Sequence, residues 1–378
     1  MKNSALLLSI SVPLVATAEL KLDPTLHLNL AATATSADEP ADVAAHAHDP
    51  NDDFSLQGFD LGLNIRYDSW LSGFLNANAF TTEDGNFDTE WEEYFFKFQE
   101  LPGNFELRAG RYLNRFGLQN NKHLHSWNYV NSNLSSPAFL GEEGLITEGG
   151  ELSWITQSDL STFILSASFG QTLDHDHDED HGDEDHGGED HGDEHGGEEA
   201  LFSSDLATVR ALYVYNQTDF HQHRIGLNGA WGENGYDRDT SLYSADYTYQ
   251  WRENGLEAGG REFSTGVEFF YRDVEWIDEV EGMSGNAGQS GYMLFGQYRF
   301  AEKWITNFRY EDIQGKQPLE DLSLGEDRER TSVSLTRELK FGSSSYARIQ
   351  YSHDDLDEGN EDTVWLQFGL GFGSGEVR

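Results

Sequence analysis

The 378-residue chain carries 68 acidic and 24 basic residues, a formal net charge of −44 at pH 7, and no cysteine. That balance excludes a polyanion such as nucleic acid as a partner, and the missing thiols exclude disulfides and thiolate metal centres. No run approaches the ~18 consecutive apolar residues that a membrane helix needs.

The opening "MKNSALLLSISVPLVATA" places one Lys before an apolar run from Ala5 to Val15 and closes on Ala16-Thr17-Ala18. This pattern predicts a secretory signal peptide over 1–18, with cleavage before Glu19. Beyond it, apolar and polar residues alternate with period two. In "FDLGLNIRY", Phe59, Leu61, Leu63, Ile65 and Tyr67 share one face, while Asp60, Asn64 and Arg66 share the other. "SLYSADYTYQW" and "TVWLQFGLGF" repeat the pattern, the first around Tyr243, Tyr247 and Trp251, the second from Val364 to Phe372. Segments of about ten residues with one apolar and one mixed-polar face are the signature of a transmembrane barrel wall.

About sixteen such strands run from 25–33 to 362–372; the first is the most weakly patterned, and fourteen is the alternative count. Short links fall near 68–69, 101–103, 156–159, 217–218, 301–302 and 341–344, with 253–260 intermediate. Long links fall near 34–53, 82–89, 113–144, 171–203, 232–240, 276–289, 314–328 and 354–361. Loops sorted by length predict an all-β, antiparallel transmembrane barrel over 19–378 in lipid of the bacterial outer membrane. Its short turns would be periplasmic and its long loops external. Alternation alone also admits a secreted β-sandwich that binds metal outside any membrane.

With both termini periplasmic, 113–144 is the third outer loop and 171–203 the fourth. The fourth contains "HDHDEDHGDEDHGGEDHGDEHGGEE", too polar to offset its ordering entropy and therefore expected to be disordered. Its His175, His177, His181, His186, His191 and His195, with the carboxylates between them, suit weak, exchangeable capture of Zn(II), Cu(II) or Ni(II). The pairs His46/His48 in the first outer loop and His123/His125 in the third are further candidate metal ligands. A loop hydrogen bond explains His123/His125 equally well. His221/His223 share parity with Ile225 and Leu227, which assigns them to the periplasmic lip as structural residues.

The stretch "FELRAGRYLNRFGLQNNKHLHSWNYV" and the "LGEEGLITEGGELSW" after it resemble the phosphate-selective porin O and P type of sixteen-stranded barrel. The matching residues are Gly110, Arg111, Phe116 and Gly117. The chain is more similar still to a branch labelled zinc-regulated TonB-dependent outer-membrane receptors, through His123, His125, Trp127, Gly141, Gly144 and Leu145. The resemblance covers about residues 54–170 and implies a constriction loop and a homotrimer. Two features depart from it. A 22-strand receptor with a plug domain exceeds this length. The basic pore ladder of the phosphate type is diluted, because Arg66, Arg108, Arg210, Arg299, Arg309 and Arg348 of inward parity lie among many carboxylates.

The residues therefore predict a porin passing small hydrophilic solutes, with cations favoured over anions by the acidic field. Its His-rich loop would raise divalent metal, zinc above all, at the mouth as a transiently bound ion. A general diffusion porin without a metal role is the alternative. No cofactor is required, and no enzyme is expected: H-E-x-x-H, G-x-S-x-G and P-loop motifs are absent and no nucleophile is nominated.

Overall fold

The computed structural model describes residues 19–36, 48–50, 54–82, 85–172, 201–278, 282–315, 327–356 and 359–373. The expected signal peptide, His46 and the six imidazoles of 175–195 lie outside the described residues.

Sixteen antiparallel strands close into one barrel. The first eight are β1 (Leu20–Thr35), β2 (Phe54–Tyr67), β3 (Leu71–Thr81), β4 (Phe87–Leu101), β5 (Phe105–Leu113), β6 (Ile146–Gln157), β7 (Ser161–Gln171) and β8 (Phe202–Thr218). The rest are β9 (His221–Asn234), β10 (Asp239–Arg252), β11 (Glu262–Asp278), β12 (Met283–Ala301), β13 (Trp304–Gln314), β14 (Arg328–Glu338), β15 (Ser344–Leu356) and β16 (Gly359–Phe372). β1 pairs with β2 on one side (His27↔Asp60) and with β16 on the other (Leu28↔Leu370), so the sheet has no free edge. Closure satisfies the backbone groups that lipid cannot. The count is sixteen, and the weakly patterned first strand is genuine.

The polarity is that of a membrane barrel. Leu61, Leu227 and Leu366 face outward and are 50%, 58% and 57% exposed, whereas Asn64, Gln350, Ser332 and Asp354 are fully buried inside. An apolar exterior around a polar interior is stable only in lipid. A cation in the outer belt should therefore be expensive. Leu227→Arg, halfway along β9, should cost about 2–4 kcal/mol, read as a shift in the urea midpoint of folding into liposomes. Leu227→Phe should leave that midpoint nearly unchanged.

The periplasmic turns are short, at 68–70, 102–104, 158–160, 219–220, 302–303 and 339–343, with 253–261 the longest. On the outer side, 36–53, 114–145, 172–201 and 315–327 are long. Four links expected to be long are tighter than their sequences suggest, at 82–86, 235–238, 279–282 and 357–358. There the ladders continue past the apolar segments, because backbone pairing continues wherever a neighbouring strand is available.

Candidate functional site

The third outer loop, L3 (114–145), turns into the barrel and crosses it. Its two stems are joined by Asn120, whose Nδ2 donates to Asn114 O and Leu145 O (2.8 and 3.0 Å) and whose Oδ1 accepts from Leu145 N (2.7 Å). Inside L3, the short helix α1 (Ser135–Leu140) seats Phe139 and Leu140 in an apolar patch on the far wall, among Leu206, Leu242, Phe270 and Ile313. Two wall arginines then grip its backbone. Arg348 of β15 donates to Trp127 O (2.8 Å) and Tyr129 O (2.6 Å), and Arg309 of β13 donates to Ser132 O (2.9 Å).

This docking carries His123 and His125 to the opposite wall, formed by β1–β4. His125 Nδ1 lies 3.4 Å from Asp60 Oδ2 on β2, and its ring stacks on His27 of β1, centroids 3.6 Å apart and 9° from parallel. His123 Nε2 lies 3.0 Å from Glu93 Oε2 and 3.8 Å from Glu92 Oε2. His48, in the short described segment 48–50 of the first outer loop, places Nε2 3.1 Å from Glu90 Oε1 and 3.7 Å from Glu92 Oε1. Glu92 thus stands between two imidazoles, held by a hydrogen bond from the amide of Asn76.

A bulge makes this possible. Across β3–β4, Asn76 pairs with Glu93 but Ala77 pairs with Trp91, so Glu92 is an extra residue in the ladder. Strict alternation would send Glu92 and Glu93 to opposite faces, and the bulge turns both inward. His48, Glu90, Glu92, His123 and Glu143 line a common cleft that is partly open to solvent.

Burial would lower the His48 pKa, but the hydrogen bond to Glu90 and the charges of Glu90 and Glu92 outweigh it and hold the imidazole up to about 9. Burial and the neighbouring Glu90 push the Glu143 carboxyl up to about 7. Glu90 contributes to both shifts. Carboxylates outnumber cations on this wall, and a proton occupies the place of another positive charge.

The other wall is arranged differently. Three of its arginines carry carboxylates of their own, Arg210–Asp246 (3.2 Å), Arg309–Glu311 (2.8 Å) and Arg330–Asp354 (2.7 Å), whereas Arg272 bonds to Gln289 and Arg348 to neutral acceptors. Among the described residues, the buried carboxylates number ten against six Lys and Arg. Asp60, Glu92 and Glu93 against Lys97 place half of that surplus on the four strands β1–β4.

Of the metal-ligand candidates read from the sequence, the structure brings His48, His123 and His125 together. It adds His27, Asp60, Glu90, Glu92 and Glu93, which sequence reasoning missed. The inward parity of Thr25, His27 and Asn29 in "TLHLN" was a readable signal for His27; the bulge that recruits Glu92 was not. His221 and His223 sit at the periplasmic lip with outward parity, bonded to Tyr249 and Tyr247 hydroxyls (2.7 and 2.9 Å). They belong to the aromatic girdle rather than to the pore.

No family model matches the chain. An uncharacterised protein of Aquifex aeolicus is 35% identical over 102 residues, covering 27% of this chain, so the match spans only 20% of that relative's length. The solved structures decide the fold. DcaP, an outer membrane channel of Acinetobacter baumannii, is 10% identical with a TM-score of 0.57, covering 95% of this chain and 98% of its own. An anion-selective porin from Comamonas acidovorans is 12% identical with a TM-score of 0.55, over 94% and 100%. OmpT of Vibrio cholerae, in a trimer form, is 10% identical with a TM-score of 0.53, over 93% and 99%. The fold is that of an outer-membrane porin. With its apolar belt, this porin-like barrel resides in the bacterial outer membrane.

Proposed function

We propose that the chain is a diffusion channel for small hydrophilic solutes that favours cations and assists divalent metal, zinc above all, into the cell. The observation that carries this reading is the asymmetry of the lumen. L3 narrows the path between a wall on which Arg309 and Arg330 are paired with carboxylates and a wall of carboxylates interleaved with imidazoles. A cation passing L3 meets attraction on one side, and on the other the ion pairs of Arg309 and Arg330 weaken the repulsion. The acidic His-rich run 175–195 adds ligands to the same route and gathers metal at the mouth. Assembly as a homotrimer belongs to this reading, OmpT having been solved as a trimer.

Reversal potentials across planar bilayers test selectivity. In a dilute KCl gradient, where the Debye length is long, the zero-current potential should report potassium preferred over chloride. A chloride preference would overturn the cation reading and assign transport to the arginine wall. Removing 174–199 should lower the Zn(II) retained per chain at equilibrium by more than half, measured by dialysis. Unchanged retention would remove that run from the route.

A further inference from the structure

The β1–β4 wall holds more than diffuse negative charge. Its donors fall into two compact groups, His48–Glu90–Glu92 and His27–Asp60–His125, each with one ligand atom per residue and all such atoms within 4.8 Å of one another. A tetrahedral ion about 2.0–2.1 Å from each donor holds neighbouring ligands roughly 3.4 Å apart. Separations of 3.1 and 3.7 Å in the first group and 3.4 Å in the second already lie near that value.

The two groups are joined. Glu92 faces His48 with one oxygen and His123 with the other, and the His123 ring lies 5.8 Å, edge to face, from that of His125. The donors therefore run unbroken from the outer loop to mid-barrel. The lower group offers an open acceptor, and its stacked His27 and His125 rings must turn apart for both to ligate, because the lone pair lies in the ring plane. Asp60 is 2% exposed, and its Oδ1 has no hydrogen-bond partner among the described residues, while Oδ2 faces His125.

From this arrangement we infer that the lumen contains two binding stations for a borderline divalent metal, an outer one at His48, Glu90 and Glu92 and an inner one at His27, Asp60 and His125, with His123 between them. The inference deepens the channel reading and rests on it only for the direction of travel. The ligand chemistry selects the ion. Imidazole with carboxylate suits Zn(II), Co(II) and Ni(II), whereas Mg(II) and Ca(II) prefer all-oxygen shells. Three protein ligands per station leave a position for water, so each ion is held but not caged. An ion can then pass from one station to the next by exchanging one ligand at a time, Glu92 and His123 serving both.

The test uses the full barrel lacking only 174–199, purified in detergent, so that the acidic run contributes no ligands. Equilibrium dialysis should find two Zn(II) per chain, retained against excess Mg(II). His27→Ala with His125→Ala should reduce this to one, and His48→Ala with Glu90→Gln should remove the other. Unboiled gel migration shows that each variant is folded. Should a variant fail to fold, Co(II) bound to the unsubstituted barrel reports the same sites by its visible bands, with imidazole ligation expected. Absence of retained Zn(II), or displacement by equimolar Mg(II), overturns the inference. Conductance in KCl, measured on the same protein, reports the channel reading separately, so the failure of either is distinguishable from that of the other.

Discussion

Replacing Arg348 with methionine should raise the single-channel conductance several-fold and make the open current noisy. Arg348 is buried among neutral acceptors, giving two of its hydrogen bonds to the L3 carbonyls of Trp127 and Tyr129 and others to Gln367 Oε1 and Thr336 Oγ1. Methionine preserves much of the volume but strands both carbonyls, at about 1–3 kcal/mol for each buried group left unsatisfied. L3 can recover hydrogen bonds only by leaving the wall for water, and its departure widens the path. Arg309→Met acts on the same loop with a second consequence. It leaves Glu311, fully buried and 2.8 Å from the lost guanidinium, without that partner. Breaking a buried pair from one side costs about 3–5 kcal/mol, so this variant should also lower the urea midpoint more than Arg348→Met does. Conductance unchanged in both would show that L3 is held by its apolar helix alone.

Gly110→Val should abolish folding. Gly110 has φ +134°, and a Cβ there would lie 2.2 Å from Tyr94 O and 2.8 Å from Phe95 Cα, both backbone atoms that cannot move aside. Its neighbours leave no slack. Gly110 pairs with Gly149, which pairs with Gly170, and a Cβ on Gly149 would likewise meet Phe169 O at 2.2 Å. Three glycines in a row across β5–β7 let these strands approach at the root of L3. The left-handed backbone alone costs about 1–3 kcal/mol for a residue with a side chain, before the collision is counted. The expected readout is loss of the fast-migrating unboiled species, with the chain remaining in the urea-soluble fraction. Gly296→Ala, where nothing lies within 4 Å of the added carbon, should fold normally. Normal folding of Gly110→Val would mean that β4 and β5 separate without loss of the barrel.

Strand identity, barrel closure and the side of each loop were legible in the sequence, because period-two alternation is a local property and lipid rewards it residue by residue. Leu61, Leu227 and Leu366 declare their face without reference to any other strand. Parity likewise placed Arg108, Arg309 and Arg348 inside and His221 and His223 at the lip. The pairing of His123 with His125 marked L3 as chemically unusual. Their partners were another matter. Asp60 and His27 meet His125 only because the β1–β2 register sets His27 opposite Asp60 and L3 folds inward. Glu92 faces the lumen only because the ladder slips by one residue at Ala77, a register event set by pairing with β3 and not by the residues of β4. Alternation is written along the chain, so the sequence by itself determined the wall and the polarity of its faces. Which charges find partners is written across the chain, and that only the tertiary structure decided: it paired Arg309 with Glu311 and Arg330 with Asp354, and gathered the imidazoles and carboxylates of β1–β4 around L3.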